Sequence, residues 1–385
     1  MKKVYPYSRQ SISKEDIRSI VKVLKSDFLT QGDQVPFFEK ALTKFTKAKY
    51  SCAVNSATSA LHLACKALDL KKGDYAWTTT NTFVATANCI LHCGANIDFV
   101  DIDENDFNIS LEKLEKKLQM TPKKKLPKLI IPVHFAGKPY KQKKLFELSR
   151  KFKFKIIEDA SHAIGSENNG EKIGSCKWSD MTVFSFHPVK IITTGEGGAV
   201  LTNDKKYFEK IKILRTHGIT RISKKNYYWY YQQKDLGFNF RMSDIHASLG
   251  ISQLKKINKF INYRNKVAYF YKKKLKDLPL KFQTVEKKLK SSYHLFVIKL
   301  LNKNNIKNYN RIFNFLRQKK IHVNLHYLPI HLHPFYKKKG FKIHDFKITE
   351  EYSKSAISLP IFFGLKKQNQ LMIIETLKKA LKFYS

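Results

Sequence analysis

One lysine stands where the sequence could support covalent chemistry. Lys190 follows an apolar run, 181–186, that predicts a buried strand, and it lies in the polar loop after that strand. Gly195, Gly197 and Gly198 follow, and they let the backbone turn tightly and approach a ligand. A lysine amine attacks carbonyl groups when burial or a nearby cation lowers its pKa. Lys190 is therefore a candidate nucleophile, and a solvated side chain is the alternative in a chain with 64 lysines.

A carboxylate is predicted at the same edge of the sheet. Asp159 ends the segment Ile-Ile-Glu-Asp at 156–159, which predicts a second buried strand, and it precedes Lys190 by 31 residues. A lysine that forms a Schiff base and a carboxylate that faces a pyridine nitrogen are the two protein groups that pyridoxal phosphate chemistry requires. A helix cap is the alternative role for Asp159. Glu158 and Asp159 do not form a glycosidase dyad, because adjacent strand residues point to opposite faces.

A third feature could hold a phosphate. The segment 55–60, Asn-Ser-Ala-Thr-Ser-Ala, joins a predicted strand to a helix start, where hydroxyls, backbone N–H groups and the helix dipole favour an anion. Ser185 could add a hydroxyl, and Phe83, near the end of another strand, could stack on a flat ring. Ordinary helix capping and core packing are the alternatives for these residues.

The elements that position these groups follow a β-α rhythm for about the first 215 residues. A helix opens at Ser13 with Asp16 in a capping-box position and Ile17, Val21 and Leu24 along one face. The alternation predicts a mostly parallel sheet with helices on both faces and ligands at the carboxyl ends of its strands. We predict strands at 50–54, 75–79, 97–100, 129–133, 155–158, 181–186 and 199–202, and helices at 82–92, 110–119, 139–152 and 205–217.

The C-terminal part has a different pattern. A long helix with a break is expected from Ser243 to about Leu275, and the remainder has fewer strands, more lysine and a final helix from Lys367. The 385 residues suit two or three domains. We predict a large domain over residues 1–250, including an N-terminal arm, and a connecting helix with a smaller α/β domain over residues 251–385.

The high net positive charge suggests nucleic-acid binding, but the types and distribution of the basic residues argue against it. Lys+Arg is 73 against 31 for Asp+Glu, a formal net charge of +42. Only nine of these cations are arginines, the residue that base readout and bidentate phosphate contacts favour. The lysines are spread along the chain. We interpret them as a lysine-rich surface that also attracts anionic small substrates.

Other sequence features restrict the class of protein. No run of eighteen apolar residues predicts a membrane span, and the N-terminus lacks an apolar stretch of signal-peptide length. The five cysteines include no CxxC pair, so we expect neither a structural metal nor a disulfide framework. A soluble protein of a reducing cytoplasm fits these features best.

Taken together, several segments resemble the DegT/DnrJ-type sugar-nucleotide aminotransferases, a branch of the aspartate-aminotransferase fold (fold type I). The resemblance runs through most of the chain, and no single segment carries it alone. It includes SDFLTQG at 26–32, AVNSATSALH at 53–62, PVHFAG at 132–137, EDASHA at 158–163, RTHG at 215–218 and LGFNFRMSD at 236–244.

Other segments point to a subgroup. The segments most similar to the enzymes of the pseudaminic acid pathway are SFHPVK at 185–190, TTGEGG at 193–198, NTFVATAN at 81–88 and HYLPIH at 326–331. This resemblance implies transfer of an amino group from L-glutamate to C4 of a UDP-linked 2-acetamido-2,6-dideoxy-4-hexulose. A neighbouring pathway that uses another nucleotide-4-ketosugar remains the enzymatic alternative. A non-catalytic binder of pyridoxal phosphate, or a basic nucleic-acid-binding protein, is the alternative from another class.

The family's residue roles map onto this sequence as implications of the resemblance. Lys190 would carry pyridoxal 5′-phosphate as a Schiff base and move protons, and Asp159 would keep the pyridine nitrogen protonated. The remaining cofactor contacts would be Phe83 on the ring face, His162 on the ring or its 3′-oxygen, Thr58, Ser59 and Ser185 on the phosphate, and Asn239 from the other subunit of a homodimer with shared sites.

Substrate contacts are less sharply defined by the sequence. His187 could touch substrate or fix its loop, and Arg241 could pair with a diphosphate or carboxylate or lie in a surface ion pair. His326 and Tyr327 could line the sugar site or pack internally, and Thr30 lies in the family segment 26–32 that implies a substrate contact.

Two departures from the family bear on these assignments. His162 stands where many relatives have Gln, which favours the pseudaminic subgroup. Ala57 stands where the phosphate loop often has Gly, and alanine fits only if that residue avoids positive φ. Related sugar dehydratases carry His in place of the lysine, so Lys190 favours transamination over dehydration.

Overall fold

The chain folds around a seven-stranded sheet. The computed structural model describes residues 4–220, 227 and 229–384. In chain order the strands are β1 Tyr5–Pro6, β2 Tyr50–Val54, β3 Tyr75–Thr79, β4 Asn96–Val100, β5 Leu129–Ile131, β6 Lys155–Asp159, β7 Glu167–Asn168, β8 Glu171–Lys172, β9 Met181–Ser185, β10 Gly198–Thr202, β11 Ile219–Thr220, β12 Gln232–Gln233, β13 Leu280–Phe282, β14 Leu289–Lys290, β15 Phe296–Leu300, β16 Ile321–His322 and β17 Ala356–Leu359.

Helices connect most of these strands. The described residues also form short 3-10 turns at Lys123–Lys125, Phe135–Gly137 and Ile330–Leu332. The α-helices are α1 Lys14–Leu24, α2 Gln34–Thr46, α3 Ala57–Ala67, α4 Val84–His92, α5 Leu111–Met120, α6 Gln142–Phe152, α7 Lys205–Arg215, α8 Asp244–Leu254, α9 Ile257–Leu275, α10 Lys303–Lys307, α11 Tyr309–Gln318, α12 Pro334–Lys337, α13 Lys347–Ser353 and α14 Lys367–Phe383.

The central sheet has the strand order β2-β10-β9-β6-β5-β3-β4. β10 runs antiparallel to both of its neighbours, whereas the pairs β9–β6, β6–β5, β5–β3 and β3–β4 are parallel. The prediction of a mostly parallel α/β sheet is thus confirmed. Parallel strands bring their carboxyl ends to one edge, and this places the residues after β6 and β9 side by side.

Both faces of this sheet are covered, as alternating side chains of β10 show. Val200 packs in a core with α3, α4 and α7, whereas Ala199 and Leu201 pack in another core with α2, α8 and the start of α9. A third core lies under α5 and α6. Successive strand residues point to opposite faces, so a strand buried on both faces reads as a continuous apolar run.

The smaller unit has its own core. Strands β13, β15 and β17 form an antiparallel sheet, and α9, α11 and α14 contribute apolar side chains to the same core. β1 pairs in parallel with β16, so the N-terminal arm joins the C-terminal part of the chain. The predicted boundary at 250 lies inside α8, and the division at that residue stays a prediction.

Most predicted elements agree with the structure, and the differences lie at their ends. Ser13 caps α1 in a capping box with Asp16. The predicted helix start at Pro139 is wrong: α6 begins at Gln142, because the 3-10 turn at Phe135–Gly137 leads into an extended segment. The predicted α7 end at His217 is wrong as well, because that residue has a φ of 57° and the helix ends two residues earlier.

Candidate active site

The predicted chemical groups meet in one cavity of about 420 Å³ at the carboxyl ends of β6 and β9. It lies between the large sheet and the segment after β16, so both parts of the chain line it. Nine of the residues singled out from the sequence line its wall: Thr58, Phe83, Asp159, His162, Ser185, His187, Lys190, His326 and Tyr327.

Lys190 lies in the turn after β9, and its backbone N–H donates to the carbonyl of His187 at 2.9 Å. Burial lowers the pKa of the Lys190 amine to about 8, and the Asp159 carboxylate opposes that shift. A larger fraction of this amine is therefore neutral near physiological pH than for a solvated lysine. A neutral amine is the form that attacks a carbonyl. The alternative role of Lys190 as a solvated side chain therefore does not fit its surroundings.

Asp159 is buried at the end of β6 and held by two hydrogen bonds. The Thr86 hydroxyl donates to its Oδ2 at 2.7 Å, and the Ser161 backbone N–H donates to its Oδ1 at 3.0 Å. Thr86 in turn pairs with the hydroxyl of Thr82 at 2.8 Å. These contacts fix the carboxylate at the cavity wall. The neighbouring Glu158 points the other way, to Tyr140 and Thr182 in the core.

The start of α3, where the sequence predicts an anion seat, lies at the cavity wall. Ser56 caps the helix, accepting a hydrogen bond from the Ser59 backbone N–H at 3.1 Å, and Ser56, Ala57 and Thr58 line the cavity. Ala57 lies inside the first helical turn and has no positive φ, so alanine fits where relatives often have Gly. Gly198 packs beneath this turn, where a Cβ would lie 2.6 Å from the backbone N of Ala57.

A hydrogen-bonded aromatic pair forms another wall. The Ala136 backbone N–H donates to Nδ1 of His162 at 3.3 Å, so the neutral imidazole carries its proton on Nε2 and donates to Tyr327 Oη at 3.1 Å. Burial, with the nearby Lys190 charge, holds the pKa of His162 well below its usual range. Phe83 is 57% exposed, and its ring centroid lies 6.1 Å from that of Tyr327. An exposed ring at a cavity mouth suits stacking on a planar ligand.

His326 belongs to the same wall and is anchored from the smaller unit. Its Nδ1 hydrogen-bonds the Ser358 hydroxyl at 2.8 Å, and its ring packs edge-on to Tyr7 at 4.8 Å. Burial and the Lys190 charge lower the pKa of His326 to about 3. His187 is different: it is exposed at the rim, with Nε2 3.9 Å from Glu196.

Four predicted residues do not line this cavity within one chain. Ser59 is buried in the first turn of α3, with its hydroxyl 3.0 Å from that of Ser56. Thr30 and Asn239 are exposed, and Arg241 is half-buried beside Val54 in an isolated bridge. The structure thus separates the predicted set into nine residues at the cavity and four outside it.

The structure also adds residues that sequence reasoning missed. Tyr7, Thr86 and Asn324 line the cavity, and His294 packs behind His162 with ring centroids 4.4 Å apart and an interplanar angle of 44°. Thr86 follows Phe83 by three residues, which places both on one face of the start of α4. This spacing could have indicated Thr86 as a residue of the site. Tyr7, His294 and Asn324 carry no local signal, because they reach the site only through the fold.

The residues of the cavity fit a phosphorylated pyridine aldehyde. The amine of Lys190, the carboxylate of Asp159 and the anion seat at Ser56–Thr58 supply the three groups that such a cofactor needs. Within residues 4–220, 227 and 229–384, no group of three or more His, Cys, Asp or Glu side chains is arranged to hold a metal ion. In that same part of the chain, no helix is both long and apolar enough to cross a membrane.

Comparison with known proteins agrees with this chemistry. Residues 10–378 match the DegT/DnrJ/EryC1/StrS aminotransferase family. The chain is 39% identical over 378 residues to the UDP-4-amino-4,6-dideoxy-N-acetyl-beta-L-altrosamine transaminase of Campylobacter jejuni, covering 98% of this chain and 97% of that protein.

Solved structures show the same relationship. Helicobacter pylori PseC, an aminotransferase involved in the biosynthesis of pseudoaminic acid, superposes with a TM-score of 0.91 at 33% identity, over 99% of this chain and 100% of that one. The PLP-form of Spr1654, a putative sugar aminotransferase from Streptococcus pneumoniae, gives a TM-score of 0.91 at 28% identity over the full length of both chains. These relationships and the cavity agree on the aspartate-aminotransferase fold and on pyridoxal 5′-phosphate as cofactor. The chain therefore belongs to the DegT/DnrJ/EryC1/StrS aminotransferase family, and it is a sugar aminotransferase.

Proposed function

We propose that the enzyme transfers an amino group from L-glutamate to C4 of UDP-2-acetamido-2,6-dideoxy-beta-L-arabino-hex-4-ulose, giving UDP-4-amino-4,6-dideoxy-N-acetyl-beta-L-altrosamine. The observation that carries the chemistry is the placement of Lys190 and Asp159 on one cavity wall with the anion seat of α3. The near full-length similarity to the Campylobacter jejuni transaminase supports the choice of sugar. His162, in place of the Gln of many relatives, supports the same subgroup.

Each protein group has a defined task in this reaction. Pyridoxal phosphate, when bound, supplies the aldehyde that exchanges amines and the ring that accepts an electron pair from the substrate. Lys190 holds the cofactor and moves the proton at the reacting carbon. Asp159, fixed by Thr86, keeps a proton on the ring nitrogen, and the first turn of α3 orients the phosphate. His326 and Tyr327 shape the sugar side of the cavity.

The choice of sugar is tested by comparing ketosugar epimers. Purified enzyme with L-glutamate is given the proposed L-arabino 4-ketosugar and, separately, its D-xylo C5 epimer, and amino-sugar product is measured by mass spectrometry and NMR. We expect at least tenfold higher kcat/KM for the L-arabino sugar, about 1.4 kcal/mol of transition-state discrimination. A preference for the D-xylo epimer would support the alternative of a neighbouring 4-amino sugar pathway.

We further propose a homodimer whose two chains share each site. Ile17, Leu24 and Phe28 are 54%, 54% and 63% exposed in a single chain and form part of an apolar face along and after α1. The apolar face predicted for α1 thus exists but is not covered by the chain's own residues. Exposed apolar faces of this kind typically form protein interfaces. Asn239 and Arg241 lie outside their own chain's cavity, so we assign them to the partner's site.

Mixing two inactive variants tests the shared site. Lys190→Ala lacks the essential amine, and Asn239→Ala lacks the phosphate contact that we assign to the other chain. A heterodimer of the two contains one site with both residues intact. We expect the mixture, after denaturation and refolding together, to recover about a quarter of wild-type turnover, far above either variant alone. Turnover no higher than that of the Asn239→Ala protein at the same concentration would contradict this arrangement.

The pKa of Lys190 predicts how cofactor capture depends on pH. Only the neutral amine reacts, and its fraction falls about tenfold for each pH unit below a pKa of about 8. We therefore expect the rate of reconstitution of the apoenzyme to rise from pH 6 to pH 8 and then level off. Absorbance of the bound cofactor follows the reaction. A rate that keeps rising to pH 10 would indicate an ordinary solvated lysine.

We place the enzyme in the cytoplasm. All five cysteines are free thiols, and Cys52, Cys65, Cys89 and Cys176 are buried in the cores. Free buried thiols are typical of proteins from a reducing compartment.

A further inference from the structure

Three of the five cysteines lie together between α3 and α4, apart from the residues that line the cavity. Cys65 is on α3, and Cys89 and Cys93 are one turn apart at the end of α4. The Sγ atoms of Cys65 and Cys89 are 3.7 Å apart, and the thiol of Cys93 lies close enough to that of Cys65 for each to shift the pKa of the other. Cys65 and Cys89 are fully buried, whereas Cys93 is half-buried and reaches the surface.

Exposure makes Cys93 the member of this cluster that a solvent oxidant can reach, since Cys65 and Cys89 are buried. The side chains of Cys65 and His62 also interact with its sulfur, and the positive charge of Lys66 lies nearby. These contacts lower the pKa of Cys93 to about 5 despite partial burial. The neighbouring thiols and burial raise the pKa of Cys65, which stays a protonated thiol. A thiolate that is open to solvent and adjacent to a second thiol is the arrangement of oxidation-sensitive cysteines.

We propose that Cys93 is a site of reversible oxidation by peroxides and that Cys65 resolves the oxidised form as a Cys65–Cys93 disulfide. In the first step the Cys93 thiolate attacks one oxygen of hydrogen peroxide, the O–O bond breaks, and the released hydroxide takes a proton to leave as water. In the second step the Cys65 thiol attacks the sulfenic sulfur, its proton leaves with the sulfenic oxygen as a second water, and the S–S bond forms. Two thiols are oxidised, and one peroxide is reduced to two waters.

Such a bond would join two helices that serve the active site. The first turn of α3 forms the anion seat, and α4 carries Thr86, which fixes Asp159. The disulfide would tie these helices together beyond their cofactor-bearing ends. The site thus lies within the frame that positions the cofactor, yet it uses none of the residues that touch it. The proposal does not depend on the identity of the sugar substrate.

Thiol labelling of the holoenzyme tests the first part of this proposal. At pH 6 we expect iodoacetamide to label Cys93 about tenfold faster than a cysteine in a short unstructured peptide, after allowing for the lower nucleophilicity of a low-pKa thiolate. Cys52 and Cys176 serve as internal controls, because burial raises the pKa of each to about 12. Labelling of Cys93 at or below the peptide rate would overturn the proposal.

Peroxide treatment tests the second part. Mild hydrogen peroxide should lower the mass of the holoenzyme by about 2 Da through two lost hydrogens, yield a peptide that joins Cys65 to Cys93, and be reversed by dithiothreitol. In the Cys65→Ser variant we expect dimedone to trap a sulfenic acid on Cys93, and in Cys93→Ser we expect neither product. Cys89→Ser is the matched control and should form the disulfide as wild type does. A Cys65–Cys89 linkage, or oxidation of Cys52 or Cys176 before Cys93, would overturn the assignment.

Discussion

Replacement of Lys190 with alanine is expected to lower transamination by at least about 10⁴-fold. The change removes two functions together, since we assign to the same amine both the attachment of the cofactor and the movement of the proton at the reacting carbon. Proton transfer by a positioned group alone contributes about 10² to 10⁴. The residue lies in the turn after β9, so the substitution removes a side chain from the cavity without breaking a strand.

Two measurements separate this catalytic role from a structural one. Borohydride reduction of the wild-type holoenzyme should fix the cofactor on Lys190, as mass spectrometry of the labelled peptide will show, and the variant should stay unlabelled at that position. Lys337→Ala provides a matched control, because Lys337 is an exposed lysine in α12, away from the cavity. Wild-type turnover by Lys190→Ala, with full activity of the control, would contradict the proposed chemistry.

The sequence predicts the large sheet well because its signals are local. A parallel sheet covered on both faces requires apolar runs, and strand β3 was predicted with the same bounds that the structure shows. The helix starts at Ser13 and Ser56 are predictable because each serine side chain accepts a hydrogen bond from the backbone N–H three residues later. The predicted start of α6 at Pro139 was wrong. A proline is compatible with a first helical turn, but it is equally compatible with the extended segment that follows the 3-10 turn at Phe135–Gly137.

The residues of the site also differ in whether local sequence or the tertiary fold determines their position. Lys190 and Asp159 follow strand ends, so strand prediction is enough to bring them to one edge. Tyr7 arrives from the N-terminal arm, which is held by the pairing of β1 with β16, and no local pattern encodes that pairing. Asn239 and Arg241 were predicted from family resemblance, and a single chain leaves them outside its cavity. We assign them to the site of a second chain, and sequence periodicity does not describe contacts between chains.

The formal charge of +42 contributes little to the site itself. The cavity contains one lysine among its lining residues, and its other polar side chains are hydroxyls, histidines, carboxylates and the amide of Asn324. Many lysines are instead exposed along the helices, where they form surface ion pairs such as Lys116–Glu112. Such exposed pairs are screened by solvent and contribute little to stability. The basic surface therefore lies mostly outside the cavity, where a positive charge attracts anions at long range.

Replacement of Asp159 with alanine is expected to lower kcat by about 10² to 10⁴. The carboxylate is buried and held by Thr86 and Ser161, so it has little freedom to turn away from the position in which it would hold the ring nitrogen of the bound cofactor. Removal of one partner from a buried charge pair costs about 3–5 kcal/mol, and each 1.36 kcal/mol is tenfold in rate. Without the carboxylate the ring nitrogen loses its proton near neutral pH, and the ring then accepts electron density less readily.

A cofactor analogue distinguishes this electrostatic role from mere support of the fold. In N-methylated pyridoxal phosphate the ring nitrogen stays positive whatever faces it, and Asp159→Ala leaves room for the methyl group. We expect the analogue to raise kcat of the alanine variant by at least about tenfold over the natural cofactor, since a fixed charge replaces the proton that Asp159 would hold. It should not raise kcat of the wild-type enzyme, where a methyl group would collide with the carboxylate. If kcat of Asp159→Ala is the same with the analogue as with the natural cofactor, and thermal unfolding shows an intact fold, then Asp159 does not act by holding the positive charge on the ring nitrogen.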